Sequence, residues 1–225
     1  MNIKHNSEMA QQFSEIMLTD YYDKSVNHRT GWHRSDSIAC PLKAYWRLTD
    51  EIKPDLGPND VGILLLGELC HIALHKYFDA QEKRYDLGGV QITVDAIFGQ
   101  FPIETKSTRK KIYRKEDLLN EWIEQLAIAM AVMHVNTGYL MVMNIISFSL
   151  NVWEITMSTS ELEMFGNSCV FQAFSIGDAI SKKDPSLLSP KYNECALCSY
   201  RPKPRKDIKG CSFFKKIKEE EEKET

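Results

Sequence analysis

Apolar residues recur every three to four positions in some stretches of the chain and every second position in others, and this change of period divides it into helices and strands. Met9, Phe13, Ile16 and Met17 space an amphipathic helix from about Ser7 to Tyr22. After a loop-like stretch from Asn27 to Gly31, Ser35 or Asp36 is placed to cap a short helix, DSIACPLKAYWRL. Its stripe is Ile38, Leu42, Tyr45 and Trp46, with Cys40 inside it and Pro41 suited to a first helical turn. Beyond the turn-rich EIKPDLGPND, a helix from about Asp60 to Ala80 is apolar nearly all round at Val61 to Leu66, as a buried central helix would be. Gly67 lets another backbone approach it, and His71 and His75 share one face.

From Val90 to Lys106 the period becomes two. Two β-type runs flank a Gly99-Gln100 break, the pattern of strands joined by a tight connection. Val90, Ile92 and Val94 share one parity, and Asp95 takes the other; Phe101, Ile103 and Thr105 share one parity, with Glu104 and Lys106 opposite. The face away from the apolar rows is therefore expected to carry an Asp, a Glu and a Lys. Leu118, Trp122, Leu126, Ala129 and Met133 then mark a helix from about Glu116 to Asn136, with Gln125 beside that face. Tyr139–Phe148 and Leu150–Met157 read as strands, and Thr159–Ser181 as a helix with Ser160 as its cap. Pro185 and Pro190 close the regular structure. The order of elements predicts a mixed α/β fold in a single domain over residues 1–218, followed by a disordered acidic tail at 219–225.

Composition changes this picture little. With 43% hydrophobic and 26% charged residues the chain is that of an ordinary globular protein with a packed core. A net charge of -3 means that any contact with a polyanion must be local. Two local basic segments exist: Lys106, Arg109, Lys110, Lys111, Arg114 and Lys115, and then Arg201, Lys203, Arg205, Lys206 and Lys209. No apolar run spans a bilayer, and the N-terminus lacks an apolar signal core, so no membrane partner and a cytoplasmic location are expected.

Two carboxylates held close on strands repel unless a cation lies between them, and oxygen ligands suit Mg²⁺ or Mn²⁺. Asp95 and Glu104 are such a pair, and Lys106 is placed to orient a water or to stabilise charge on a phosphate. An ordinary hairpin with a solvated charged face has the same pattern, and Glu-Thr-Lys alone carries almost no weight. The cysteines hold a second signal. Cys195 and Cys198 form a CxxC, and Cys211 follows after twelve residues. Three thiols near one another suggest a metal, with the fourth ligand open among Cys40, Cys70, Cys169 or a His; spacing alone leaves zinc and an iron–sulfur cluster equal.

Together, GELCH at Gly67–His71, the Asp95 strand and Glu104-Thr105-Lys106-Ser107 resemble the RecB-like branch of the PD-(D/E)XK nucleases. Cys40-Pro41 near the start, with three cysteines far downstream, resembles the CRISPR-associated iron–sulfur exonuclease subgroup, and related cysteine frames occur in AddB-type nuclease domains. The resemblance implies a restriction-endonuclease-like core, a mixed sheet flanked by helices. It makes His71, Asp95 and Glu104 ligands of Mg²⁺ or Mn²⁺, with the Thr105 carbonyl as a further ligand and Lys106 as the catalytic lysine. It makes Cys40, Cys195, Cys198 and Cys211 the ligands of a [4Fe–4S] cluster joining residues 35–50 to 190–215. Of the family's QxxxY motif only Gln125 is present, Ala129 standing at the last position, and the gap from Cys198 to Cys211 is longer than the usual one.

The expected function is a Mg²⁺- or Mn²⁺-dependent DNA nuclease, chiefly a single-strand exonuclease acting on single strands or frayed ends. Arg109, Lys110, Lys111, Gln125, Arg201, Lys203 and Arg205 would hold the DNA. CRISPR spacer acquisition, recombinational repair and viral replication are equally compatible settings, with the integration or repair proteins of each as partners and oligomers allowed. A non-catalytic iron–sulfur or zinc scaffold subunit that binds DNA is the rival reading.

Overall fold

Cys40 caps helix α1 (Pro41–Thr49): its carbonyl accepts from the N–H groups of Lys43 at 2.9 Å and Ala44 at 3.2 Å, and Pro41, which has no N–H to leave unpaired, takes the first turn. The computed structural model describes residues 34, 38–49, 58–75, 78, 80–191, 198 and 211. The helix expected over 7–22, Cys195, the basic residues from Arg201 to Lys209, and the acidic tail lie outside the described residues. Helix α2 (Pro58–His75) is followed by β1 (Ala80–Leu87), β2 (Val90–Phe98), β3 (Phe101–Thr108), α3 (Asn120–Met133), β4 (Thr137–Asn144), β5 (Ser149–Thr156) and α4 (Thr159–Lys182).

The strands form one mixed sheet in the order β1-β2-β3-β4-β5. Its first three strands are an antiparallel meander, α3 carries the chain across to a parallel β4, and β5 returns antiparallel. The β1–β2 turn uses Gly88 and Gly89, both at positive φ, a geometry that costs glycine nothing. Strand β1 is not visible in the apolar pattern, because it is an edge strand whose Lys83, Arg84 and Asp86 lie in solvent. Charges on an edge keep it from pairing with other chains, and they also erase the alternation that would announce a strand. The helix expected to reach Ala80 accordingly ends at His75.

One face of the sheet is covered by α3 and α4. Leu140 and Val142 of β4 pack with Leu126, Ala127 and Met130 of α3 and Leu162 of α4, while Val90 and Ile92 of β2 meet Ile128, Cys169 and Ala173. Helix α1 closes a further cluster in which Tyr45 and Trp46 lie against Ile176 and Ala179 of α4. At Gly138 a Cβ would fall 2.8 Å from Leu126 Cδ1, so a side chain there would make Leu126 of α3 shift. Helix α2 differs from its expected burial: Leu66, Leu69 and Ile72 are all exposed. Its continuous apolar run cannot by itself distinguish a helix wrapped by protein from one covered on part of its surface.

The expected cap of α4 moves by two residues. Ser158, not Ser160, precedes the first turn: its hydroxyl accepts from the Glu161 N–H at 3.3 Å, and Glu161 accepts from the Ser158 N–H at 2.7 Å, a complete capping box. Hydrogen bonds from the Ser158 hydroxyl, and then from its N–H, hold the Glu161 carboxyl below its ordinary range. This contribution is full above the unfolded value and is lost as pH falls through the lowered one. Ser158→Ala should cost about 1 kcal/mol in a urea melt at neutral pH, and the deficit should narrow in acid.

Candidate active site

The hairpin of β2 and β3 positions the candidate chemistry. Its ladder pairs Phe98 with Phe101 and Ala96 with Ile103, and the paired stretch ends there. One residue further on, a side chain takes over the bonding between the strands: Asp95 Oδ2 accepts from the Thr105 N–H at 3.0 Å and from the Thr105 hydroxyl at 3.1 Å. The sheet thus opens between β2 and β3 at the level of Asp95. Alternation on β2 also slips nearby, since Val94 and Ile97, three apart, share one cluster with Ala129 of α3, while Ala96 packs with Ile103 and Met141. Opposite Asp95, between the pairs Gln81–Ala96 and Lys83–Val94, Glu82 has a positive φ of 46°.

On β3, parallel pairing sets Glu104 beside Leu140 and Lys106 beside Val142. Leu140 and Val142 pack on α3, so Glu104 and Lys106 lie on the helix-covered face. The shared parity of the two residues holds, but they do not face away from the apolar row of β2, because Val90 and Ile92 pack on α3 as well. Glu104 is only 1% exposed, and Thr105 is fully buried on the other side of the strand. A central strand is covered on both faces, which parity alone does not reveal.

Buried carboxylates need partners, and the site supplies two cations. Lys106 Nζ donates to Glu104 Oε1 and to Gln125 Oε1 of α3, each at 2.5 Å. Arg34, helical and nine-tenths buried, brings Nη1 to 2.9 Å from Glu104 Oε2 and Nη2 to 3.6 Å from Asp95 Oδ1, and Nη1 donates to the Gln125 carbonyl at 3.1 Å. Despite that short approach, Glu104 Oε2 receives no aligned hydrogen bond and stands as an orphaned buried oxygen. Burial alone would raise the Asp95 pKa; the charges of Arg34, Lys106 and His71, with the Thr105 N–H, outweigh it and hold the group below its ordinary value. His71, on α2, is one of the groups acting on Asp95. Gly67, one turn earlier, faces β3, where a Cβ would lie 3.2 Å from Ser107 Oγ.

The structure thus brings together Asp95, Glu104, Thr105, Lys106 and Gln125, with His71 at the edge of the group. Among the described residues no three His, Cys, Asp or Glu side chains converge as a ready-made metal cage. Arg34, which the sequence pattern did not single out, stands between the two carboxylates. No local motif marks it, because its meaning comes from a contact with strands more than sixty residues away.

Arg109, Lys110 and Lys111 are exposed just beyond β3. Their backbone is fixed by buried Asn144 at the end of β4, whose Nδ2 donates to the carbonyls of Lys110 at 3.0 Å and Arg109 at 3.4 Å. Asn144 was also not foreseen; an Asn at the end of an apolar strand was the available signal. Cys198 and Cys211 pack against the cluster that contains Cys40, and Cys40 Sγ accepts from the Lys191 N–H at 3.5 Å. Cys169 is buried in a different cluster, with Val90 and Ile92.

No protein-family model and no curated protein matches the chain. Among solved structures it is similar to the crystal structure of SSO0001, with a TM-score of 0.55 and 19% identity over 84% of this chain and 94% of that one. At that identity the likeness shows the fold alone, a mixed α/β arrangement around a five-stranded sheet. Among the described residues no helix is long and apolar enough to cross a membrane.

Proposed function

We propose that the chain is a PD-(D/E)XK-type, Mg²⁺- or Mn²⁺-dependent deoxyribonuclease that hydrolyses phosphodiester bonds at single-stranded or frayed DNA ends. The observation that carries this reading is the buried assembly of Asp95, Glu104, Lys106 and Gln125 where β2 and β3 part. The residues suit a hard divalent cation: two carboxylates, one with an orphaned buried oxygen, lie beside the Thr105 backbone, and His71 stands nearby. Asp95, Glu104, His71 and the Thr105 carbonyl would hold it. When bound, the cation supplies Lewis acidity to a phosphate and lowers the pKa of water. Thr105 keeps Asp95 oriented through its two hydrogen bonds, and Gln125 keeps the Lys106 ammonium at the carboxylate, ready to stabilise charge on a phosphate under attack. Packing of Cys40, Cys198 and Cys211 on one cluster supports the cysteine frame, and with Cys195 these thiols would hold a [4Fe–4S] centre.

Purified anaerobically and given Mn²⁺, the protein should shorten end-labelled single-stranded DNA. Binding without any cleavage would replace this reading with that of a scaffold subunit. Replacing Arg109, Lys110 and Lys111 together by alanine should weaken binding to all sequences alike. It should also flatten the dependence of log K on log salt by about 0.7 for each phosphate that is no longer neutralised, which a fluorescence-anisotropy titration measures; an unchanged slope would remove these residues from the DNA path.

A further inference from the structure

We propose that Arg34 is a resident counter-cation, which holds the two carboxylates together in the metal-free protein and competes with the divalent cation for them. The inference rests on the cation seat proposed above. Its starting point is charge balance. Asp95 and Glu104 bring two negative charges, and the two cations in contact with them, Arg34 and Lys106, match these from 2.5 to 3.6 Å away. Entry of a divalent cation would leave a buried excess of two positive charges. Burying uncompensated charge is costly, so a cation must first displace one of the side chains.

Geometry identifies which one yields. Lys106 is anchored by two hydrogen bonds, to Glu104 Oε1 and Gln125 Oε1. Arg34 touches both carboxylates, yet its hydrogen bond goes to the Gln125 carbonyl. At 3.6 Å its Nη2 is too far from Asp95 to bond, and Glu104 Oε2 beside Nη1 accepts no hydrogen bond. A structural arginine–carboxylate pair usually engages fork to fork with two parallel bonds. Here neither carboxylate receives an aligned hydrogen bond from the guanidinium, so a hard cation offering direct oxygen coordination has the advantage. The Gln125 carbonyl can retain Arg34 after it is displaced.

Mn²⁺ binding to DNA-free protein, read by the loss of the free-ion electron paramagnetic resonance signal, tests this without any assay of cutting. Arg34→Met keeps the length and removes the charge. It should bind Mn²⁺ at least about tenfold more tightly than the wild type, because it removes one competing charge. It should also melt at a lower temperature without metal and recover more on adding Mn²⁺. Arg34→Lys, which keeps the charge but loses the fork, should fall between the two and provides the comparison if the methionine variant does not fold. Glu104→Gln separates the two ideas. If it abolishes Mn²⁺ binding while Arg34→Met and Arg34→Lys bind no more tightly than the wild type, Arg34 is not a competitor and the cation seat stands. If Glu104→Gln leaves Mn²⁺ binding intact, the cation lies elsewhere, and both the seat and the role of Arg34 are overturned.

Discussion

A Lys106→Ala protein is expected to bind single-stranded DNA as the wild type does and to cut it about a hundred- to a thousand-fold more slowly, the usual effect of removing one donor aimed at developing charge. Lys106 connects Glu104 to α3 by hydrogen bonds to Glu104 and Gln125. Its loss leaves Glu104 with Arg34 at 2.9 Å, so the buried carboxylate is not stripped of all positive charge. Single-turnover digestion of an end-labelled oligonucleotide gives the rate, and anisotropy gives the affinity. Undiminished cleavage would defeat the assignment. A rate and an affinity that fell together would indicate a substrate-binding role instead.

The second large effect is on stability. Tyr45 is fully buried, and its ring meets Trp46 edge-on with centroids 4.8 Å apart, inside the cluster joining α1 to α4. Tyr45→Ala should cost about 3–5 kcal/mol, the range for truncating a large buried aromatic side chain, seen as a lower denaturation midpoint in guanidinium. Lys43→Ala, on the exposed side of the same helix, should stay within about 0.5 kcal/mol of the wild type. Equal effects of the two substitutions would mean that α1 is not part of the core. The Tyr45 cluster also contains Cys40 with Cys198 and Cys211 packed on it, so the same variant should loosen the cysteine frame.

Local chemistry made much of this molecule legible. The alternation from Val90 to Val94, the Gly99 break and the run after Phe101 announced the hairpin, because a strand that buries one face writes a period of two into its residues. Helices α3 and α4 were announced by their stripes, with ends shifted by a few residues where Ser158 in place of Ser160 made the capping box. The Asp, Glu and Lys of the hairpin could be named because their order along two adjacent strands brings them close whatever packs around them.

The remaining features required the third dimension. Edge strand β1 carries charge where a buried strand would carry an apolar row, so its pairing with β2 left no periodic trace. Parity placed Glu104 and Lys106 on one face but could not say that α3 covers it, since a helix docks through contacts far apart in sequence. That covering makes the carboxylates buried groups in need of cations rather than solvated ones. Arg34 shows the difference most clearly. In the sequence it is one arginine among many; in the fold it lies against residues from β2, β3 and α3 at once, where burial turns a long-range contact into the charge balance of the site.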